Sequence, residues 1–163
     1  MRTLLLLRHA KSSWKDETLS DHDRPLNGRG KRDALKMGWL LKAEQLAPDL
    51  VICSTAKRAR VTTKLVVDAS GYGEEVIFTP DLYHAASSTY LEVLQQVPDQ
   101  YRRVMVVGHN PNLEYFLEEL TGDWEHLPTA ALAQVTLPIE HWRELDEGTT
   151  GTLVNLWVPR ALG

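Results

Sequence analysis

Four residues of this chain carry side chains suited to holding and moving a negatively charged group: Arg8, His9, Arg58 and His109. Arg8-His9 closes an apolar run. His109 follows Gly108 at the end of another and leads into Asn110-Pro111. Arg58 comes just after the run that ends in Cys53-Ser54-Thr55. A guanidinium binds two oxygens of one anion with its planar fork and stays charged at any working pH. One imidazole can attack phosphorus as a nucleophile, and a second, when protonated, is a further donor to phosphoryl oxygens. Each piece alone is ordinary, since an Arg-His dipeptide or a Gly-His turn after a strand is common and Arg58 alone reads as a solvated helix residue. The joint placement of two arginines and two histidines at successive run ends is the informative feature.

The elements that would position these residues can be read from hydrophobic pattern. Six apolar runs, at residues 3–8, 50–53, 76–79, 103–108, 132–137 and 152–158, read as strands. The runs around Leu4, Val51 and Val104 are continuously apolar, as strands buried on both faces must be. Helical spacing relates Ala34, Met37, Leu40 and Leu41; Ala59, Thr62, Leu65 and Val66 within 56–69; and Leu113, Phe116, Leu117 and Leu120 within 112–120, with a further helix expected at 89–96. Alternation of strand and helix predicts an α/β domain: a mostly parallel central sheet with helices on both faces, forming one domain over residues 1–163. The last two strands have no helix between them and predict an antiparallel pairing near the C-terminus. Ligands of such sheets bind beyond the carboxyl ends of the strands, which is where Arg8, His9, Arg58 and His109 fall. Helix N-termini near Ser54 and Asn110 would add free N–H groups there.

Composition narrows the classes. The chain has 163 residues, 43% hydrophobic and 25% charged, as expected of a globular domain. Its 18 basic and 22 acidic residues give a net charge of −4, which disfavours nucleic-acid binding through many phosphate contacts. The lone Cys53 makes neither an internal disulfide nor a cysteine-based zinc site. Leu4–Leu7 is too short for a signal segment or a membrane span, so no membrane role and a cytoplasmic location are expected. A cysteine phosphatase fails because the required arginine position is Ala59. No H-E-x-x-H, Walker A, G-x-G-x-x-G or G-x-S-x-G pattern is present.

The segment LLLLRHAKSSW at residues 4–14 resembles the Arg-His-Gly signature of the histidine phosphatase, or phosphoglycerate mutase-like, superfamily. Ser54-Thr55-Ala56-Lys57-Arg58-Ala59 with Thr62 is similar to its second motif, and Val107-Gly108-His109-Asn110 to its third. Asp23-Arg24-Pro25-Leu26 with Gly30, and Pro128-Thr129-Ala130-Ala131, resemble the small SixA-like phosphohistidine phosphatase branch. The departures are Ala10 for glycine, Lys11 for an acid, Lys15 for asparagine and Thr55 for proline. The resemblance implies a three-layer phosphoglycerate mutase-like fold, and the short stretch between Ala69 and Arg103, which must already hold a strand and a helix, leaves no room for a large cap insertion. It implies His9 as the phosphorylated nucleophile, Arg8, Arg58 and protonated His109 as the phosphate pocket, and Ser12 and Lys15 as further substrate contacts. No metal or cofactor is implied.

The reaction so implied is metal-independent phosphoryl hydrolysis through a phosphohistidine intermediate, with His9 neutral at the attacking nitrogen and its other nitrogen expected to donate to a backbone carbonyl. Phosphate esters need a proton donor, for which Asp81 and His84 are the rim candidates, His84 foremost, with Glu74 and Glu75 less direct. A phosphoramidate needs less help, and an open site admits a protein side chain. Protein phosphohistidine is therefore the expected substrate, beside a small phosphate ester or a non-catalytic phosphoprotein-binding module. His22, His126 and His141 have no motif context. Trp14 is expected to pack the loop beneath the phosphate site, and Trp39, Trp124, Trp142 and Trp157 to pack core or satellite clusters.

Overall fold

The computed structural model describes residues 1–162. Among them, β1 (Arg2–Arg8), β2 (Leu50–Ser54), β3 (Val76–Thr79), β4 (Arg103–Gly108), β5 (Leu132–Leu137) and β6 (Thr152–Trp157) alternate with α1 (Gly28–Ala43), α2 (Lys57–Ser70), α3 (Ser87–Gln95) and α4 (Asn112–Thr121). The strands form one sheet in the order β3-β2-β4-β1-β5-β6. β3, β2, β4 and β1 run parallel, and β5 is antiparallel to both β1 and β6. The β5–β6 reversal follows from the missing helix between those two runs, since consecutive strands without a crossover element return antiparallel; β5 also reverses against β1, although α4 precedes it.

Pleat alternation sorts the central strands into two cores. Leu4, Leu6, Leu50, Ile52, Val104 and Val106 face a cluster with Tyr90, Leu91 and Leu94 of α3 and Leu113, Phe116, Leu117 and Leu120 of α4. Leu5, Leu7, Val51, Cys53, Met105 and Val107 face Ala34, Met37 and Leu41 of α1 and Ala59 and Val66 of α2. Helices therefore cover both faces, which is why the runs at Leu4, Val51 and Val104 carry almost no polar residues. Residues 71–102 hold β3, a 3-10 turn at Pro80–Leu82 and α3, with no cap domain among the described residues. No described helix is long and apolar enough to cross a membrane.

Two close approaches shape the site end of the sheet. α1 begins at Asn27, whose side chain accepts the Gly30 N–H at 2.8 Å. A Cβ at Gly30 would lie 2.2 Å from the Lys11 carbonyl oxygen, so only glycine lets α1 abut the loop that follows His9. A Cβ at Gly108 would meet the Tyr90 hydroxyl at 2.2 Å. Trp142 and Trp157 pack against the cores as expected, but the other three tryptophans depart from expectation. Trp142 is fully buried, but Trp39 and Trp124 are exposed. Trp14 is 69% exposed instead of packed under the site, with the Arg24 guanidinium 3.2 Å above its ring. Stacking on a fixed cation holds it at the surface without burial.

Candidate active site

The parallel strands end together, so their last residues share one rim. β1 delivers Arg8 and then His9, β2 ends at Ser54, and β4 ends at Gly108 and passes directly to His109. The registers pair Arg8 with Gly108 and Cys53 with Val107, which sets the first and third motifs side by side. The His9 and His109 rings lie 5.0 Å apart between centroids, and both residues are buried. Arg58, on the first turn of α2, is buried beside them. The four residues expected to converge do so.

His9 Nδ1 lies 2.8 Å from the Ala10 carbonyl oxygen. A carbonyl only accepts, so Nδ1 carries the hydrogen and Nε2 keeps the lone pair. The Ala10 N–H donates to Thr62 Oγ1 at 2.9 Å, and Thr62 Oγ1 donates to the Arg58 carbonyl at 2.7 Å, tying the first motif to α2. Behind His9, the Ala130 N–H donates to the His9 carbonyl at 3.0 Å. Ala130 accepts a left-handed backbone, φ 62°, to make that bond. Burial holds the His9 pKa down to about 4; the Ala10 hydrogen bond opposes this, and Arg58, Arg8 and Arg24 add to it. His9 is therefore neutral at pH 7.

His109 Nε2 lies 2.8 Å from Ser54 Oγ, which also accepts the Ala56 N–H at 3.2 Å. Ser54 is fully buried, so its hydroxyl hydrogen must be used, and Nε2 is the acceptor within reach. The His109 hydrogen then sits on Nδ1, which is buried without a partner among the described residues. Burial, then His9 and Arg58, hold the His109 pKa at about 3, with Asp21 opposing. With no anion bound, His109 is thus neutral and presents Nδ1–H as a donor. A dianion bound between the imidazoles would supply the opposite charge that favours the imidazolium.

The arginines are held from outside the motifs. Arg58 donates through Nη1 to the Asp21 carbonyl at 2.7 Å and through Nη2 to Asp21 Oδ2 at 3.0 Å. Arg24 donates to Asp21 Oδ1 at 3.0 Å, and the Tyr83 hydroxyl to Oδ2 at 2.5 Å. These bonds, Tyr83 first and the arginines after it, hold the Asp21 carboxyl well below the usual carboxylate range, so Asp21 is no proton donor near neutrality. Arg8 Nη1 donates to the Leu127 carbonyl at 3.0 Å, and its Nε is buried without a partner among the described residues.

A cleft of about 250 Å³ opens over Arg58 and His109, with Asp21, Tyr83 and His84 in its lining; Arg8 and His9 lie outside that lining. His84 is exposed on the rim, 4.1 Å from the Tyr83 ring between centroids. Asp81 lines a separate, mainly apolar cleft with Ile77 and Val97. Glu74 and Glu75 precede β3 and so lie toward the opposite edge of the sheet, which removes them as proton donors. Lys15 is exposed and gives its backbone N–H to Ser13 Oγ. Ser12 is buried, and its hydroxyl accepts from Arg24 Nη2.

Sequence reading missed Asp21, Tyr83 and Glu114. His22 and His126 also gain partners, Thr55 Oγ1 at 3.0 Å and Glu114 Oε2 at 2.7 Å, whereas His141 pairs at the exposed surface with Asp99. One signal for Asp21 was available: an acidic residue just before the Asp23-Arg24-Pro25-Leu26 segment that itself pointed to the site.

Paired imidazoles and paired guanidiniums at the carboxyl edge of a parallel α/β sheet describe a histidine-centred oxyanion site. The chain belongs to the histidine phosphatase superfamily (branch 1), whose family model matches residues 4–102. It is 36% identical over 165 residues to an uncharacterized protein of Mycobacterium tuberculosis, covering 94% of this chain and 100% of that one. Among solved structures, SixA from Agrobacterium tumefaciens superposes with a TM-score of 0.83 at 30% identity, covering 97% of this chain and 98% of that one. The protein histidine phosphatase SixA complexed with tungstate superposes with a TM-score of 0.85 at 25% identity over 99% of each chain. These likenesses place the chain in the SixA-like branch with a phosphoglycerate mutase-like fold.

Proposed function

We propose that this chain is a phosphatase that passes a phosphoryl group through His9 Nε2, and that its substrate is phosphohistidine on a protein. The observation that carries the reading is the His9 Nδ1–H bond to the Ala10 carbonyl, which leaves a neutral imidazole with its lone pair on the other nitrogen. The phosphoryl oxygens lie among Arg8, Arg58 and the Nδ1–H of His109. Nε2 attacks phosphorus as the bond to the leaving group breaks, and charge spreads over oxygens faced by fixed donors. Water then attacks the phosphoenzyme, the P–N pair returns to Nε2, and phosphate leaves.

Leaving-group chemistry favours phosphohistidine. An imidazole protonated on its far nitrogen departs neutral and takes no proton from the enzyme, which suits a cleft whose carboxylate, Asp21, is held ionised. The absence of a cap domain among the described residues leaves the cleft open to a side chain on another protein. His84 on the rim is the one feature that favours a small phosphate ester instead, since an alkoxide leaving group needs a proton.

Initial rates on a phosphohistidine peptide, phosphoramidate and p-nitrophenyl phosphate test the reading. Both phosphoramidates are expected to exceed the aryl ester in kcat/KM. Faster ester turnover that falls with His84→Ala would favour the small-ester reading. Binding of all three without turnover would leave a phosphoprotein-binding module.

A further inference from the structure

Glu114 is a buried carboxylate in the first turn of α4 that no sequence motif singles out. Its Oε2 accepts the Leu127 N–H at 2.6 Å and lies 2.7 Å from His126 Nδ1. The carbonyl of the same Leu127 accepts from Arg8 Nη1 at 3.0 Å and from Asn110 Nδ2 at 2.8 Å. One fully buried residue thus ties Glu114 on one side to a site guanidinium on the other. The loop is also closed onto β1, because the Arg8 N–H donates to Ala131 and the Ala130 N–H to His9. Arg8 therefore has its direction set by a carbonyl whose place depends on Glu114.

A carboxylate at this depth is costly unless its charge is used. The helix N-terminus offsets part of that cost. Arg8 supplies a further use. Burial and Arg58 both weigh against the Arg8 charge, and Glu114 weighs for it. An apolar residue here would fill the same space but would neither hold the Leu127 N–H nor offset the guanidinium.

We infer that Glu114 is a positioning residue that sets the affinity of the site for the phosphoryl group by fixing Arg8 through Leu127. The inference rests on the phosphatase reading above and goes beyond it by naming a residue that touches no substrate. Its action is on oxyanion binding more than on the chemical step, because Arg8 grips phosphoryl oxygens in ground and transition states alike.

The test uses orthovanadate as the oxyanion probe and phosphoramidate as the substrate. Glu114→Gln weakens the bond to the Leu127 N–H from a charge-assisted one to a neutral one and removes the charge that weighs for the Arg8 guanidinium. It is expected to raise the vanadate inhibition constant and KM about tenfold while kcat stays within about threefold. In an Arg8→Lys background, where the guanidinium fork is already lost, the same change should weaken vanadate by less than about twofold. Equal losses in both backgrounds, wild-type constants in Glu114→Gln, or a loss confined to kcat would overturn the inference. If Glu114→Gln does not fold, His126→Ala removes the exposed partner alone. A two- to threefold rise in the vanadate constant would then support the inference, and an unchanged constant would overturn it. His9→Ala run in parallel separates the two readings: turnover that survives it defeats the phosphatase mechanism whatever Glu114 does.

Discussion

Lowering the pH from 7 to 5 should destabilise this fold through its two paired imidazoles. His9 and His109 are 7% and 8% exposed. In the unfolded chain each takes a proton near 6.5; in the fold, burial and neighbouring cationic groups hold them to about 4 and about 3. Between those values and 6.5 the unfolded state binds protons that the folded state does not. The stabilisation is therefore fully present above about pH 6.5 and is lost as pH falls toward the folded values. Each imidazole costs about 1.4 kcal/mol per pH unit in that window, so pH 5 removes about 2 kcal/mol apiece and about 4 kcal/mol for the pair. Asp21 is shifted downward from 3.8, so its contribution is lost only at lower pH, outside this window. Urea unfolding followed by tryptophan fluorescence at pH 7 and pH 5 measures the loss. The wild type should lose about 4 kcal/mol between the two, and a His9→Gln/His109→Gln variant no more than about 1 kcal/mol. An equal loss in both proteins would refute the assignment of the acid sensitivity to these imidazoles.

Other substitutions separate the roles of the site residues. Ser54→Ala removes the hydroxyl that holds the His109 tautomer; kcat/KM should fall about tenfold, the worth of one buried hydrogen bond, with the circular dichroism spectrum intact. An unchanged kcat/KM would show that His109 needs no such partner. Asp21→Asn keeps hydrogen-bonding atoms beside Arg58 but removes a half-exposed like charge that faces any bound oxyanion. Vanadate inhibition should tighten about threefold, whereas weaker inhibition would show that the carboxylate serves chiefly to aim Arg58.

The fold was legible where burial dictates residue type. β1, β2 and β4 lie inside the sheet under helices on both faces, so their apolar runs matched the strands to within a residue or two at each end. Arg8, His9, Arg58 and His109 were legible because each follows directly on a strand end or its helix, and the parallel registers carry them to one edge. What was hidden depends on pairing between distant segments. Asp21 meets Arg58 across 37 positions and Tyr83 across 62, and nothing local in either stretch marks the contact. Glu114 reads as an ordinary first-turn acid until Leu127 folds over it. Trp14 was misjudged because a large aromatic suggests burial, whereas Arg24 gives it a partner at the surface.

The most direct measurement is the site of covalent phosphorylation during turnover. Protein quenched in alkali while hydrolysing phosphoramidate, then digested and mapped by mass spectrometry, should carry one phosphoryl group on the imidazole of His9 and none in the His9→Ala variant. A phosphoryl group on another residue, or steady turnover with no phosphorylated peptide in the wild type and undiminished rates in His9→Ala, would contradict the account.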